Sequence, residues 1–170
     1  MYSNKNLVFL GMMGSGKSSI GNLVSQKKNL PFIDIDNLII KAAGMSISEI
    51  FEKKGEKYFR GLEEKISLKN LKEDNSVISL GGGAFINNNI RKEILSNHYS
   101  FWLNWKDETI INRIKNSKKR PVILNLNKNE IKDLIDRRSK IYSKAMFKID
   151  CDNLTKSEIV NKVIKIYEQN

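Results

Sequence analysis

The sequence predicts an α/β domain, a three-layer sandwich with a five-stranded parallel sheet in the middle layer. Three observations predict it. Five short apolar runs alternate with helix-periodic stretches along the whole chain. A glycine-rich loop stands between the first apolar run and the first helix, where parallel sheets place their phosphate-binding turns. The length, 170 residues, fits one domain with right-handed crossovers between its strands and enough buried surface for a core.

The first run, Asn6-Leu7-Val8-Phe9-Leu10, is apolar throughout, as a strand buried on both faces must be. Gly11-Met12-Met13-Gly14-Ser15-Gly16-Lys17-Ser18 follows and fits G-x-x-x-x-G-K-[ST], the Walker A pattern. Its glycines let backbone N–H groups converge on one concavity, and the helix beginning near Ser18 adds its positive end. A nucleotide triphosphate is the ligand such a cradle takes, with Gly14, Ser15, Gly16, Lys17, Ser18 and Ser19 around its phosphates. Lys17 reaches the β and γ phosphates in this motif, and the Ser18 hydroxyl ligates Mg²⁺. The helix runs from about Ser18 to Lys28, with Ile20, Leu23 and Val24 at helical spacing.

Phe32 to Asp36 reads as the second strand, ending in acid. Residues two apart share a strand face, so Asp34 and Asp36 are expected to point together at the carboxyl end, where open α/β sheets bind ligands. Asp36 also suits an N-cap for the helix that ends at Gly44. Ser46-Ile47-Ser48-Glu49 is a capping box, and the helix it opens is interrupted at Gly55 before continuing to about Leu71. This helical stretch between strands two and three is an insertion suited to substrate contacts. On it Arg60 offers a planar fork for a carboxylate, or an ion pair with Glu63 or Glu64 on its own helix.

Ser76 to Leu80 is the third strand, and Gly81-Gly82-Gly83 follows at once, allowing a ligand close to the backbone. This strand lacks the acid that usually holds Mg²⁺, which leaves Asp34, acting through water, as the candidate. A helix over about Asn88 to Ser96 turns Ile90, Ile94 and Leu95 inward, and Tyr99 to Leu103 is the fourth strand. His98, Trp102 and Trp105 read as packing residues. Asp107 caps a helix through Lys115, and the basic, proline-containing segment that follows reads as a lid over about 116–128. Glu130 to Ser143 is helical; Arg137 and Arg138 lie about 100° apart, so one of them faces the site. Phe147 to Cys151 is the fifth strand, with Cys151 an unreactive thiol, and Thr155 caps the last amphipathic helix.

Composition narrows the function. The net charge is +11, yet aromatics do not interleave with the lysines and no zinc-finger or RNA-recognition signature is present, which argues against nucleic acid as a partner. The lysine excess reflects in part a bias towards residues with AT-rich codons, and a basic surface suits an anionic, phosphorylated substrate. No apolar run is long enough to span a membrane. The N-terminal residues lead directly into a strand without a signal peptide, and the single Cys151 cannot form an internal disulfide, so a cytoplasmic location is expected.

Taken in order, the Walker A loop, Asp34-x-Asp36, Phe59-Arg60-x-x-Glu63, the triple glycine, Arg120-Pro121 and Arg138-x-x-x-Tyr142 resemble bacterial shikimate kinases over essentially the whole chain. The resemblance implies P-loop kinase topology with strand order 2-3-1-4-5, a single domain over 1–170, a substrate-binding insertion over about 35–62 and a lid over about 116–128. It implies transfer of the ATP γ-phosphate to the 3-hydroxyl of shikimate, on the route to chorismate and the aromatic amino acids, by a monomer that uses one Mg²⁺. Asp36 would hydrogen-bond shikimate hydroxyls and act as the base, Arg60 and Arg138 would clamp the substrate carboxylate, Gly82 would bind substrate through its backbone, and Arg120 would come down with the lid on the phosphates that Lys17 reaches. Ser18 and Asp34 would place the metal. The family usually carries Arg-x-Pro-Leu-Tyr where this chain has Arg138-Ser139-Lys140-Ile141-Tyr142, so Lys140 stands in place of the proline; Lys115 would replace an adenine-binding arginine at the start of the lid. Two alternatives stay open: another small-molecule P-loop kinase, for gluconate or a nucleoside monophosphate, and an ATP-binding regulatory module without an acceptor.

Overall fold

The computed structural model describes residues 5–115 and 126–170. The predicted lid, including Arg120, lies outside the described residues except for its last three positions. The sheet consists of β1 (Leu7–Leu10), β2 (Phe32–Asp34), β3 (Val77–Ser79), β4 (Tyr99–Asn104) and β5 (Phe147–Asp150). All pairings are parallel and the order is β2-β3-β1-β4-β5, as expected.

Alternation along the central strands builds the two outer layers. Leu7 and Phe9 face one side with Phe101 and Leu103 of β4, against Ile20 and Val24 of α1 (Lys17–Lys28) and Ile159 and Val163 of α7 (Lys156–Glu168). Val8 and Leu10 face the other side with Ile78 and Trp102. There they meet α2 (Ile35–Ala43), α3 (Ile47–Leu71), α4 (Asn88–Asn97), α5 (Asp107–Lys115) and α6 (Lys128–Tyr142). With both faces covered, β1 has no exposed residue, which explains its unbroken apolar run.

Local capping chemistry sets most helix boundaries. Ser46 forms the capping box expected of it, with Glu49; Thr155 caps α7 as expected, in a box with Glu158, and Asn127 forms a third box with Glu130 that starts α6 slightly earlier than predicted. Gly55 breaks α3 with φ 82° and ψ 167°. Two expectations fail. Leu95 is 43% exposed, because Ile90 and Ile94 already complete the inner stripe of α4. And β2 ends at Asp34, so Asp34 and Asp36 share no strand face. Asp34 caps α2 by accepting from the Asn37 N–H at 3.1 Å, while Asp36 sits in the first helical turn.

His98 and Cys151 are structural, as expected. Burial and nearby acids push the Cys151 thiol up to about 12. The His98 Nδ1 accepts from the Asn6 N–H at 3.4 Å, and burial holds its pKa below the usual 6.5, against the pull of Glu93 and Asp74 and with a small push from Lys5. The neutral imidazole is therefore the folded form. Its contribution to stability is present above pH 6.5 and lost as pH falls through the lowered pKa. Urea titrations of His98→Gln should show a flatter stability profile than the parent across that window; parallel profiles would remove His98 from the balance.

Candidate active site

The carboxyl ends of β1, β2 and β3 bring two clusters together. The first is the glycine loop after β1. Gly16, at φ 89°, lets the chain turn into α1, whose N-terminus has neither a side-chain cap nor an acidic residue in its first turn. An open helix N-terminus of this kind attracts an anion. The Lys17 ammonium lies along the loop, 2.9 Å from the carbonyl oxygens of both Gly11 and Met12. Beside it, a cleft of about 350 Å³ is lined by Gly14, Ser15, Gly16 and Ser19 on one side and by Trp105 and Arg113 on another.

Trp105 and Arg113 were not legible in the sequence as part of this site. The Trp105 indole N–H donates to the Ser15 carbonyl at 2.9 Å, and the Arg113 guanidinium stacks on the indole at 3.8 Å while donating to the Gly14 carbonyl at 3.2 Å. One aromatic–guanidinium stack thus joins the loop to the open side of the cleft. The Lys115 side chain, expected to replace an adenine-binding arginine, lies outside the described side chains; Arg113, two residues earlier on α5, reaches the loop.

The Ser18 hydroxyl lies 3.2 Å from that of Ser79, the last residue of β3. Ser79 in turn is in register with Asp34 on the neighbouring strand. Ser18, Ser79 and Asp34 therefore form a continuous row of oxygen donors. Asp34 is the N-cap of α2 through Oδ1, an orientation that leaves Oδ2 out of the capping bond. Among the described residues no group of three or more His, Cys, Asp or Glu side chains could hold a metal by itself. A hard cation that keeps its waters and phosphate oxygens fits this sparse row, because Mg²⁺ needs only one or two protein oxygens there.

The second cluster surrounds the triple glycine, which packs against the first. A carbon added to Gly82 would lie 3.2 Å from the Met13 nitrogen, a tight contact that would press on the backbone where the two loops touch. On Gly81 such a carbon would lie 2.7 Å from a Glu63 carboxylate oxygen and 2.8 Å from Asp36 Oδ1. On Gly83 it would fall within 2.5 Å of the Arg60 guanidinium. Asp36, Glu63 and Arg60 thus converge on the glycine backbone from α2 and α3. The ion-pair reading of Arg60 holds. Its guanidinium pairs with Glu63 at 2.7 Å and with Glu56 at 3.2 Å, and it also borders the glycine loop.

Arg138 approaches from α6, 8% exposed, and donates to the Gly82 carbonyl at 3.4 Å; Arg137, about 100° round the helix, is exposed. The stripe Ile131, Ile135, Arg138, Tyr142 is the buried face of α6, a periodicity that distinguishes the two arginines. Glu63 is 2% exposed. Burial raises its pKa above the ordinary 4.5, and the nearby charge of Asp36 acts in the same direction; together they outweigh the pull of Arg60 and Arg138. The cluster holds two carboxylates and two guanidinium groups, an arrangement able to bind an anion and to accept a proton from a hydroxyl.

Comparison with known proteins agrees with this fold. The family model described as "Shikimate kinase" matches residues 13–168. A shikimate kinase of Thermodesulfovibrio yellowstonii is 40% identical over 97% of this chain and 96% of its own length. Among solved structures, the shikimate kinase from Acinetobacter baumannii in complex with shikimate superposes with a TM-score of 0.93 at 25% identity, covering 99% of this chain and 96% of the other. A gluconokinase from Sinorhizobium meliloti reaches a TM-score of 0.60 at 14% identity, covering 99% of this chain and 94% of the other; that likeness is one of fold alone.

Proposed function

The chain belongs to the shikimate kinase family, and from that premise we propose that it transfers the γ-phosphate of ATP to the 3-hydroxyl of shikimate through the two adjoining clusters. The observation that carries this reading is the packing of Gly82 on Met13, which sets an acceptor cluster of both charges directly against a phosphate cradle. Neither a regulatory ATP-binding module nor a simple nucleotide store needs a buried carboxylate and a buried arginine at that place.

The division of labour follows from position. Gly14, Ser15, Gly16 and Ser19 line the cleft that takes the phosphates, and Lys17 exchanges its loop carbonyls for phosphate oxygens. Ser18 would hold the metal and Asp34 would reach it through water, with Ser79 between them. Mg²⁺ bound there would neutralise charge on the phosphates. Arg60, Arg138 and the Gly82 backbone receive the shikimate carboxylate. Asp36 takes the proton of the attacking hydroxyl; that oxygen bonds to the γ-phosphorus as the bond to the β-phosphate oxygen breaks, and ADP leaves. Placement and charge account for the rate, since phosphoryl transfer asks little covalent chemistry of the protein.

The whole chain works as one domain, with the segment 35–62 carrying substrate contacts and 116–128 serving as the lid from which Arg120 closes. A monomer is the proposed working unit. None of the described helices is long and apolar enough to cross a membrane, in keeping with a cytoplasmic enzyme. With Mg-ATP, shikimate should stimulate ADP release strongly, whereas quinate, gluconate, AMP and CMP should leave the rate near that of ATP alone. A rate with shikimate no higher than the ATP-only rate would sink the assignment.

A further inference from the structure

Tyr142 closes α6 and is fully buried, yet it carries a hydroxyl. A buried hydroxyl is costly unless it is bonded. This one donates to the carbonyl oxygen of Gly82 and lies 3.9 Å from the Met12 sulfur of the phosphate loop. Arg138, four residues earlier and so on the same helical face, donates to the same carbonyl from 3.4 Å. Burial pushes the Tyr142 phenol up to about 12, so the donor keeps its proton throughout the neutral range. The ring is fixed as well, tilted against Trp102 with centroids 6.1 Å apart.

The peptide that Tyr142 grips is the one between Gly82 and Gly83. No peptide bond among the described residues is cis. In a trans peptide the N–H points opposite to the carbonyl. Holding the Gly82 oxygen towards α6 therefore turns the Gly83 N–H away from α6. Glycines have no side chain to fix this plane; without an external donor the peptide can rotate. The Arg138 bond is too long to hold it alone, and Arg138 itself is needed for the acceptor.

We propose that Tyr142 is a positioning residue for the acceptor: its hydroxyl locks the Gly82–Gly83 peptide so that the backbone donor beside Arg60 meets the substrate carboxylate. The inference rests on the reading of Gly82, Arg60 and Arg138 as the carboxylate site. Tyr142 does not touch the substrate; it acts through Gly82. Its packing beside Met12 ties the same peptide to the phosphate loop, so that the acceptor seat and the nucleotide seat share one fixed point.

The test is steady-state kinetics on the full chain with Tyr142→Phe, which removes the hydroxyl and little else. The KM for shikimate should rise about tenfold, the size of one well-made hydrogen bond, while the KM for ATP stays within about twofold. Incorporating p-aminophenylalanine at the same position restores an N–H donor and should recover most of the loss, which a purely structural role for the ring would not. Arg60→Ala, measured alongside, separates the two layers of the argument. If Arg60→Ala raises the KM for shikimate selectively and Tyr142→Phe leaves it unchanged, the positioning role is wrong and the carboxylate site stands. If Arg60→Ala has no selective effect, the site reading fails and the inference fails with it. An equal rise in both KM values for Tyr142→Phe would mark general loosening and also overturn the proposal.

Discussion

Asp36→Asn should lower kcat for shikimate phosphorylation by more than about 10²-fold, the low end of what a positioned general base contributes, while changing the KM for ATP by less than about twofold. The substitution keeps the shape of the side chain and removes its ability to accept a proton, so the loss should appear in kcat. Position singles out Asp36 among the nearby acids. Asp34 is engaged as the cap of α2. Glu63 is buried and paired with Arg60 at 2.7 Å. Asp36 stands in the first turn of α2, where the helix dipole favours a carboxylate, with Oδ1 against Gly81 at the seam between the two loops. Initial rates with both substrates saturating decide the matter, and an unchanged kcat would remove the catalytic role of Asp36. Glu63→Gln is the natural comparison, since a larger kcat loss there would transfer the role to Glu63.

How far the sequence revealed this site depended on the range of the interactions involved. The phosphate loop was legible because its requirements are local: a buried strand, glycines where the backbone must turn, and a helix start. The capping box at Ser46 and the cap at Thr155 were legible for the same reason. Asp34 and Asp36 were placed at the right corner of the sheet and in the wrong relation to each other. Phe32 to Ile40 is apolar enough to read as strand or helix, and the boundary is set by Asp34 capping α2 and by Ile35 being drawn fully into the core, a tertiary fact. Ser79 and Trp105 gave no local signal, since each matters only through a partner distant in sequence, Ser18 and the Ser15 carbonyl respectively. The arginines were partly legible. In a lysine-rich chain Arg60 and Arg138 stood out, and both reach the glycine loop; Arg137, grouped with them by sequence, is exposed. Arg91 and Arg113 were passed over. Arg91 holds the turn after the triple glycine through the carbonyls of Phe85 and Ile86, and Arg113 reaches the phosphate loop.

Arg60→Ala should raise the KM for shikimate by about 10²-fold, the scale of a charged hydrogen-bonding partner lost from a carboxylate, with little change for ATP. It should also destabilise the protein, and the two effects have separate signatures. Glu63 is 2% exposed and loses its nearest cation. Breaking a buried pair costs about 3–5 kcal/mol, but the Arg60 side chain is 30% exposed and solvent screens part of the interaction, so about 1–3 kcal/mol is expected. The pH dependence identifies the source. The folded-state pKa of Glu63 already lies above 4.5, so its neutral form is the one the fold prefers. Its contribution to stability is fully present below 4.5 and is lost as pH rises through the raised folded value. Without Arg60 that pKa rises further, and the stability deficit of the variant should be larger at pH 7 than at pH 4.5. Arg60→Lys separates the roles: a lysine supplies charge to Glu63 and should restore much of the stability, but it lacks the planar fork and should leave the KM for shikimate high. Equal rises in the KM for both substrates would count against a carboxylate clamp. A lysine variant with the parental KM would show that charge suffices and that the fork geometry does not matter.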